Sequence, residues 1–179
     1  MIPSILLLAF VTLQRLGELV LARRNTARLM AKGAYEVAPG HYPLIIALHA
    51  AWLVGLWALA WNRPLNLPLT IVFLVLQGLR VWIVVTLGER WTTRIIVLPG
   101  APLVRRGPYR FIPHPNYAVV CGEIVVLPLV FGLWAYALVF TVLNAAVLFV
   151  RVRAENRALS LPLVGRERSA LGADQGGGI

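Results

Sequence analysis

The side chains best able to do chemistry stand in two polar segments that flank the last long apolar stretch of the chain. In the first segment, Pro115 suits the first turn of a helix, so His114 would lie beside unpaired backbone N–H groups. The positive end of the helix dipole favours a carboxylate or another anion there. In the second segment, Arg151 and Glu155 are four residues apart and share one helix face. These residue types indicate an anion-binding site with groups that can hold or move a proton.

The composition shows what kind of scaffold must position these residues. Of the 179 residues, 59% are hydrophobic and 13% are charged, whereas a soluble domain averages about 45–50% apolar and about 25% charged residues. A soluble fold of this size cannot bury so much apolar surface. The single cysteine, Cys121, excludes a disulfide framework, and no Cys/His cluster has zinc spacing, so no metal is expected. The composition predicts an all-α integral membrane protein.

The apolar segments predict about five transmembrane helices, because a spanning helix needs roughly 20 mostly apolar residues. The candidate segments are residues 2–22, 43–61, 67–88, 117–131 and 134–150. The last two divide one apolar stretch that would form a single helix about 50 Å long, too long for a hydrocarbon core of about 30 Å. Pro128 and Gly132 can break it. The resulting C-terminal helical hairpin would bring the two polar segments into one cytoplasmic pocket.

The distribution of basic residues predicts the orientation of these helices. Clusters of arginine and lysine follow the first, third and fifth predicted helices. Of the other basic residues, Arg63 lies in the opposite connection, and Arg15 and Arg80 lie inside helices. The positive-inside rule then places the N-terminus outside and the C-terminus in the cytoplasm. The formal net charge of +10 therefore reports membrane orientation, and no nucleic-acid partner is expected.

Ionisable side chains inside the predicted helices need partners, since such groups are costly in lipid and usually face the interior of a bundle. Arg15 and Glu18 are three residues apart and can form an ion pair. Glu123 is a candidate partner for Arg15 or Arg80. These groups either join helices or line a ligand cavity.

The sequence resembles the isoprenylcysteine carboxyl methyltransferase family of membrane enzymes. The residues that carry the resemblance are Leu103, Val104, Gly107, Tyr109, Arg110, His114, Pro115, Asn116, Tyr117, Arg151 and Glu155. A second similarity, to a bacterial branch associated with methylation of lipid-like polyketides, rests on residues 23–25, 41–43 and His49. Two features differ from the family pattern: Asn156 stands where a second acidic residue is usual, and residues 161–166 lack the Tyr-rich, Arg-Pro-containing segment.

The resemblance implies S-adenosylmethionine as methyl donor, with S-adenosylhomocysteine as product. It also implies three regions along the chain: three N-terminal helices (1–88), a methyltransferase-like core (89–160) and a cytoplasmic tail (161–179). By position, the implied cofactor-binding residues are Leu103, Val104, Tyr109, His114, Pro115, Asn116, Tyr117 and Glu155. Arg151 would contact the acidic end of the substrate, and His114 and Glu155 are the candidate bases. We expect a lipophilic acceptor to enter from the bilayer of the bacterial inner membrane, either a carboxylate such as prenylcysteine or a polyketide hydroxyl.

Two other functions fit parts of the sequence. The C-terminal helical region is also similar to that of membrane sterol reductases, in which the loop arginines would bind the phosphate of NADPH. A non-catalytic scaffold or small transporter would use the polar groups within the helices to hold the helices together. The expected convergence of His114, Tyr117, Arg151 and Glu155 favours an enzyme, and the family resemblance favours the methyltransferase.

Overall fold

The computed structural model describes residues 1–37, 39–102 and 104–173, with His41 and residues 154–173 described by their backbone alone. Within this part, the chain forms five α-helices, which confirms the all-α prediction. Their bounds are α1 Ile2–Ala31, α2 Tyr42–Ala60, α3 Leu67–Leu87, α4 Pro115–Val130 and α5 Trp134–Ala173. Four of the described helices are long and apolar enough to cross a membrane, whereas α4 has 16 residues. A fifth span therefore stays a prediction.

Two helices extend past the ends predicted for them. Helix α1 continues beyond residue 22 to Ala31, and α5 continues beyond residue 150 to Ala173, into the predicted tail. The prediction ended each helix where charged residues begin, but arginine, lysine and glutamate are good helix formers in water. The end of α1 is set by Gly33, which has a φ of 86°. Ala34 N–H donates to the Leu29 carbonyl over 3.0 Å, closing a Schellman motif.

The last apolar stretch is interrupted at Gly132. Its φ of 71° requires glycine, and its N–H donates to the Leu129 carbonyl over 3.0 Å. Leu133 N–H donates to the Pro128 carbonyl over 3.0 Å, so this helix end is also a Schellman motif. Pro128 itself remains inside α4. The glycine, and not the proline, ends the helix.

Helix α4 lies between α3 and α5 and contacts both. Gly122 permits close approach to α3, because a Cβ there would lie 3.1 Å from the Leu76 side chain. An apolar core joins four of the helices. Its fully buried members are Leu8, Val11, Trp52, Leu56, Ala60, Phe73, Ile124, Leu127, Val130 and Phe131. The core fixes the position of α4, which carries the predicted site residues at its first turn.

Four ionisable residues inside the helices, Arg15, Glu18, Arg80 and Glu123, form one buried cluster. Arg15 pairs with Glu18 at 3.2 Å, as their spacing predicts. Glu123, which is 1% exposed, accepts hydrogen bonds from Arg15 Nη2 at 2.6 Å and from Arg80 Nη1 at 2.7 Å. Gln77 Nε2 donates to the other Glu123 oxygen at 2.8 Å. Glu123 is thus the partner of both arginines, and the cluster ties α1, α3 and α4 together.

The connection between α3 and α4 folds onto the ends of several helices. Strand β1 (Tyr35–Glu36) pairs antiparallel with β2 (Ile96–Val97). Arg94 Nη1 donates to Glu36 at 2.7 Å beside this pair. Turns of 3-10 helix at Gly88–Arg90 and Gly107–Arg110 complete the connection. The pairing was not predicted, because two-residue strands leave no periodic pattern in a sequence.

Candidate functional site

A cavity of about 170 Å³ lies where the α3–α4 connection meets the first turn of α4 and the middle of α5. Its wall combines arginines, aromatic rings and a short apolar segment. The lining residues are Leu87, Arg90, Trp91, Thr92, Arg94, Ile95, Ile96, Val97, Tyr109, Pro113, His114, Asn116, Tyr117 and Arg151. The two polar segments singled out in the sequence therefore border one space.

His114 stands at the N-cap position of α4, directly before Pro115, as the sequence predicts. Its carbonyl accepts the Tyr117 N–H at 3.1 Å. Its ring stacks on the Tyr117 ring, with centroids 5.2 Å apart and planes 16° from parallel. The first turn of α4 thus presents two stacked rings at the edge of the cavity.

Arg151 connects α5 to this turn. Its Nε donates to the Tyr117 hydroxyl at 2.9 Å, and its Nη2 donates to the Thr93 carbonyl at 2.8 Å. The guanidinium carbon lies 5.4 Å from the centre of the Tyr117 ring. Within the described residues, Nη1 makes no hydrogen bond. The guanidinium is therefore held at two nitrogens, and the third is available for an anionic ligand.

Tyr109 reaches the cavity from the 3-10 turn Gly107–Arg110. The turn begins at Gly107, whose φ is 55°. A Cβ at this position would lie 2.6 Å from Oγ1 of Thr86 on α3. Both the backbone conformation and the close approach to α3 therefore require glycine, and this glycine sets where the turn rests.

The structure brings together most of the predicted site residues. Tyr109, His114, Asn116, Tyr117 and Arg151 line the cavity. Pro115 is buried in the first turn of α4. Val104 instead lines a neighbouring cavity of about 310 Å³, together with Leu87, Arg90, Pro102, Arg105 and Arg106. Leu103 and the side chain of Glu155 lie outside the described residues.

Arg94 is a cavity residue that the sequence reasoning did not select. It pairs with Glu36, and its guanidinium lies 4.6 Å from the centre of the Tyr42 ring. The hydrogen bond from Arg94 to Glu36 is the main reason why the pKa of Arg94 is raised. Tyr42 also hydrogen-bonds the Thr93 hydroxyl over 2.8 Å. Residues 41–43, which carry the second similarity noted above, include Tyr42. The sequence therefore held a signal for the segment that contacts Arg94.

Two buried polar atoms of cavity residues have no hydrogen-bond partner within the described part of the chain. They are Nε1 of Trp91 and Oδ1 of Asn116. Buried polar groups are nearly always paired, so such atoms point to a ligand or water. Guanidinium groups, aromatic rings, a free donor and a free acceptor suit a ligand with a carboxylate and a nucleoside. In the same described residues, no group of three or more metal-ligating side chains occurs.

Comparison with known proteins identifies the family. The model of the isoprenylcysteine carboxyl methyltransferase (ICMT) family matches residues 69–161, a range that includes most of α3, the connection, α4 and α5 as far as residue 161. The chain belongs to this family. It is 40% identical over 159 residues to the Bacillus subtilis (strain 168) protein named Uncharacterized protein YpbQ, covering 86% of this chain and 95% of that relative.

A second relative, a protein of Haemophilus influenzae, is 26% identical over 153 residues, covering 82% of this chain and 88% of the relative. No solved structure matches the chain. Family membership confirms the resemblance found in the sequence. With the long apolar helices, it makes the chain a membrane methyltransferase.

Proposed function

We propose that the chain is an S-adenosylmethionine-dependent O-methyltransferase that acts on a lipophilic acceptor at the cytoplasmic face of the membrane. The observation that carries the proposal is the hydrogen bond between Tyr117 and Arg151. It joins the start of α4 to α5 at the wall of a cavity that holds polar groups from both. Family membership supplies the reaction class.

The residues of the cavity fit the proposed cofactor. S-adenosylmethionine supplies an activated methyl group on a sulfonium, together with an adenosine and an amino-acid carboxylate. The stacked rings of His114 and Tyr117 offer an aromatic surface, and the Oδ1 of Asn116 offers an acceptor that no described residue uses. Tyr109 lies on the same wall. We assign cofactor binding to these four residues, with Leu103, Val104, Pro115 and Glu155 added by their place in the family motif.

Arg151 is the proposed contact for an acidic acceptor. Its Nη1 makes no hydrogen bond to a described residue, and the hydrogen bonds to Tyr117 and Thr93 hold the guanidinium in place. An acceptor carboxylate has a pKa of about 4, so it is already ionised at pH 7 and needs no general base. Positioning then supplies most of the catalysis.

A hydroxyl acceptor would place a further demand on the site, because a phenol with a pKa of about 10 is neutral at pH 7. His114 and Glu155 are the candidate bases in that case. The apolar residues 95–97 and Leu87 give the cavity a wall that suits a lipophilic group. Both acceptor classes are therefore compatible with the same cavity, and the product distinguishes them.

The proposal is tested by incubating detergent-purified protein with methyl-labelled S-adenosylmethionine and a bacterial lipid extract. We expect label in an organic-soluble product that mass spectrometry identifies. Mild alkali releases label from a methyl ester as methanol but leaves a methyl ether intact, which separates carboxylate from hydroxyl acceptors. Arg151→Lys keeps the positive charge but loses the planar guanidinium group, and should slow ester formation. A wild-type protein that transfers no label above a boiled control would overturn the proposal.

A further inference from the structure

Trp91 is a buried cavity residue with an unused hydrogen-bond donor. Its side chain is 3% exposed and lines the cavity beside Tyr117 and Arg151. Its Nε1 has no partner in the part of the chain that the structure describes. Its backbone carbonyl accepts a 2.9 Å hydrogen bond from Nδ2 of Asn25 on α1. The backbone at Trp91 is thus anchored, while no described residue accepts the indole N–H.

Arg80, a member of the buried cluster described above, contacts the same indole. Its guanidinium carbon lies 5.9 Å from the centre of the Trp91 ring, within the range of a cation–π interaction. Glu18 holds the guanidinium bidentately, with Nε–Oε1 at 2.5 Å and Nη2–Oε2 at 2.6 Å. Arg80 is 5% exposed, so this arrangement is shielded from water. One cation of the buried cluster therefore also contacts the cavity wall.

We propose that Trp91 binds the cofactor by donating its indole N–H to an acceptor atom of S-adenosylmethionine, and that Arg80 is the positioning residue for that indole. The inference rests on the proposed function, because it assigns a residue to the same site. It also gives the buried cluster a second role. If the ion pairs of Arg80 served only to join helices, Arg80 would not need to contact the cavity wall. It does contact the wall, at the ring of Trp91.

The first test removes the donor alone. Trp91→Phe keeps an aromatic ring but lacks the N–H, and the loss of one hydrogen bond should weaken S-adenosylmethionine binding about tenfold. The matched control is Trp52→Phe, since Trp52 is also buried and its Nε1 also has no partner among the described residues, but it packs in the apolar core. We expect the control to bind within about twofold of wild type. Equal affinities for Trp91→Phe and wild type, or equal losses in both variants, would overturn the assignment.

The second test separates positioning from structure with two charge-neutral double variants. Arg80→Gln/Glu123→Gln leaves the Arg15–Glu18 pair, whereas Arg15→Gln/Glu123→Gln leaves Arg80 on Glu18. Each removes one arginine and one glutamate from the same cluster, so similar melting temperatures are expected. Only the variant without Arg80 should bind S-adenosylmethionine more weakly, about threefold or more for loss of a cation–π contact.

The S-adenosylmethionine affinities of wild type and of the variants test three statements separately: the role of Arg80, the whole inference and the proposed function. Equal affinities in the two double variants would overturn the positioning role of Arg80. Binding by wild type that persists unchanged in every variant would overturn the whole inference but not the proposed function. Absence of S-adenosylmethionine binding to wild type would overturn the proposed function and this inference together.

Discussion

Arg151 on α5 donates a 2.9 Å hydrogen bond from Nε to the hydroxyl of Tyr117 on α4. The two residues are far apart in sequence, on either side of the turn at Gly132. The same guanidinium also bonds the Thr93 carbonyl in the α3–α4 connection. One side chain thus links the three segments that enclose the cavity, and its loss should loosen all three.

Tyr117→Phe should lower the rate of methyl transfer about tenfold or more. The variant keeps the ring that stacks on His114 but removes the acceptor for Arg151, and a hydrogen bond to a charged group contributes about 1.5–3 kcal/mol. The measurement is the initial rate of label transfer from S-adenosylmethionine, read beside the melting temperature. Tyr136→Phe is the control, because its hydroxyl bonds the Trp52 carbonyl in the core. A rate for Tyr117→Phe equal to that of wild type would contradict the prediction.

Gly107→Ala should destabilise the protein and weaken cofactor binding together. The added Cβ would lie 2.6 Å from Thr86 Oγ1, and φ would stay at an unfavourable 55°. Displacement of the turn also displaces Tyr109 from the cavity wall. Gly100→Ala is the control, since its φ is 76° but nothing lies within 4 Å of the added Cβ. We expect a lower melting temperature for Gly107→Ala than for Gly100→Ala, and the reverse order would refute the packing argument.

Local signals in the sequence predicted much of the site. Pro115 marked the start of α4, Gly107 marked the turn, and Gly132, with Pro128, marked the break in the apolar stretch, because proline and glycine act on the backbone locally. Spacing also predicted the Arg15–Glu18 pair. The conclusion that His114 and Tyr117 lie near Arg151 needed only the topology of the last two helices.

Contacts between segments distant in sequence could not be predicted in this way. The wall formed by Trp91 and Arg94 depends on Asn25 from α1 and on Glu36 from β1. Nothing in the local pattern around Trp91 indicates either partner. The end of α1 was also predicted wrongly. Gly33 is a recognisable helix-ending residue, but the prediction ended the helix at residue 22, where the sequence changes from apolar to charged.

Glu123→Gln should lower the stability of the protein by about 3 kcal/mol, since it removes one partner of a buried charge cluster and leaves two arginines facing one glutamate. Unfolding in mixed detergent micelles measures the change. Glu89→Gln provides the contrast, because Glu89 forms an exposed ion pair with Lys32 and its loss should be undetectable. Similar losses in the two variants would show that burial of the cluster contributes nothing.

The proposed orientation is tested by cysteine labelling in whole cells. In a Cys121→Ala background, Arg63→Cys should react with a membrane-impermeant maleimide from outside, because it lies between α2 and α3. Arg28→Cys, an exposed position near the end of α1, should react only after permeabilisation. The expected asymmetry follows from the positive-inside rule. Labelling of Arg28→Cys in intact cells would reverse the topology and place the cavity outside.

Equilibrium binding of labelled S-adenosylmethionine to detergent-purified protein and to Glu155→Ala tests whether the cavity is a cofactor site. We expect saturable binding by wild type, competition by S-adenosylhomocysteine but not by NADPH, and at least about tenfold weaker binding by Glu155→Ala for loss of a bond to a charged group. Glu89→Ala, which removes an exposed acid outside the cavity, should bind as wild type does. No binding by wild type, or equal binding by Glu155→Ala, would contradict the assignment of this cavity to S-adenosylmethionine.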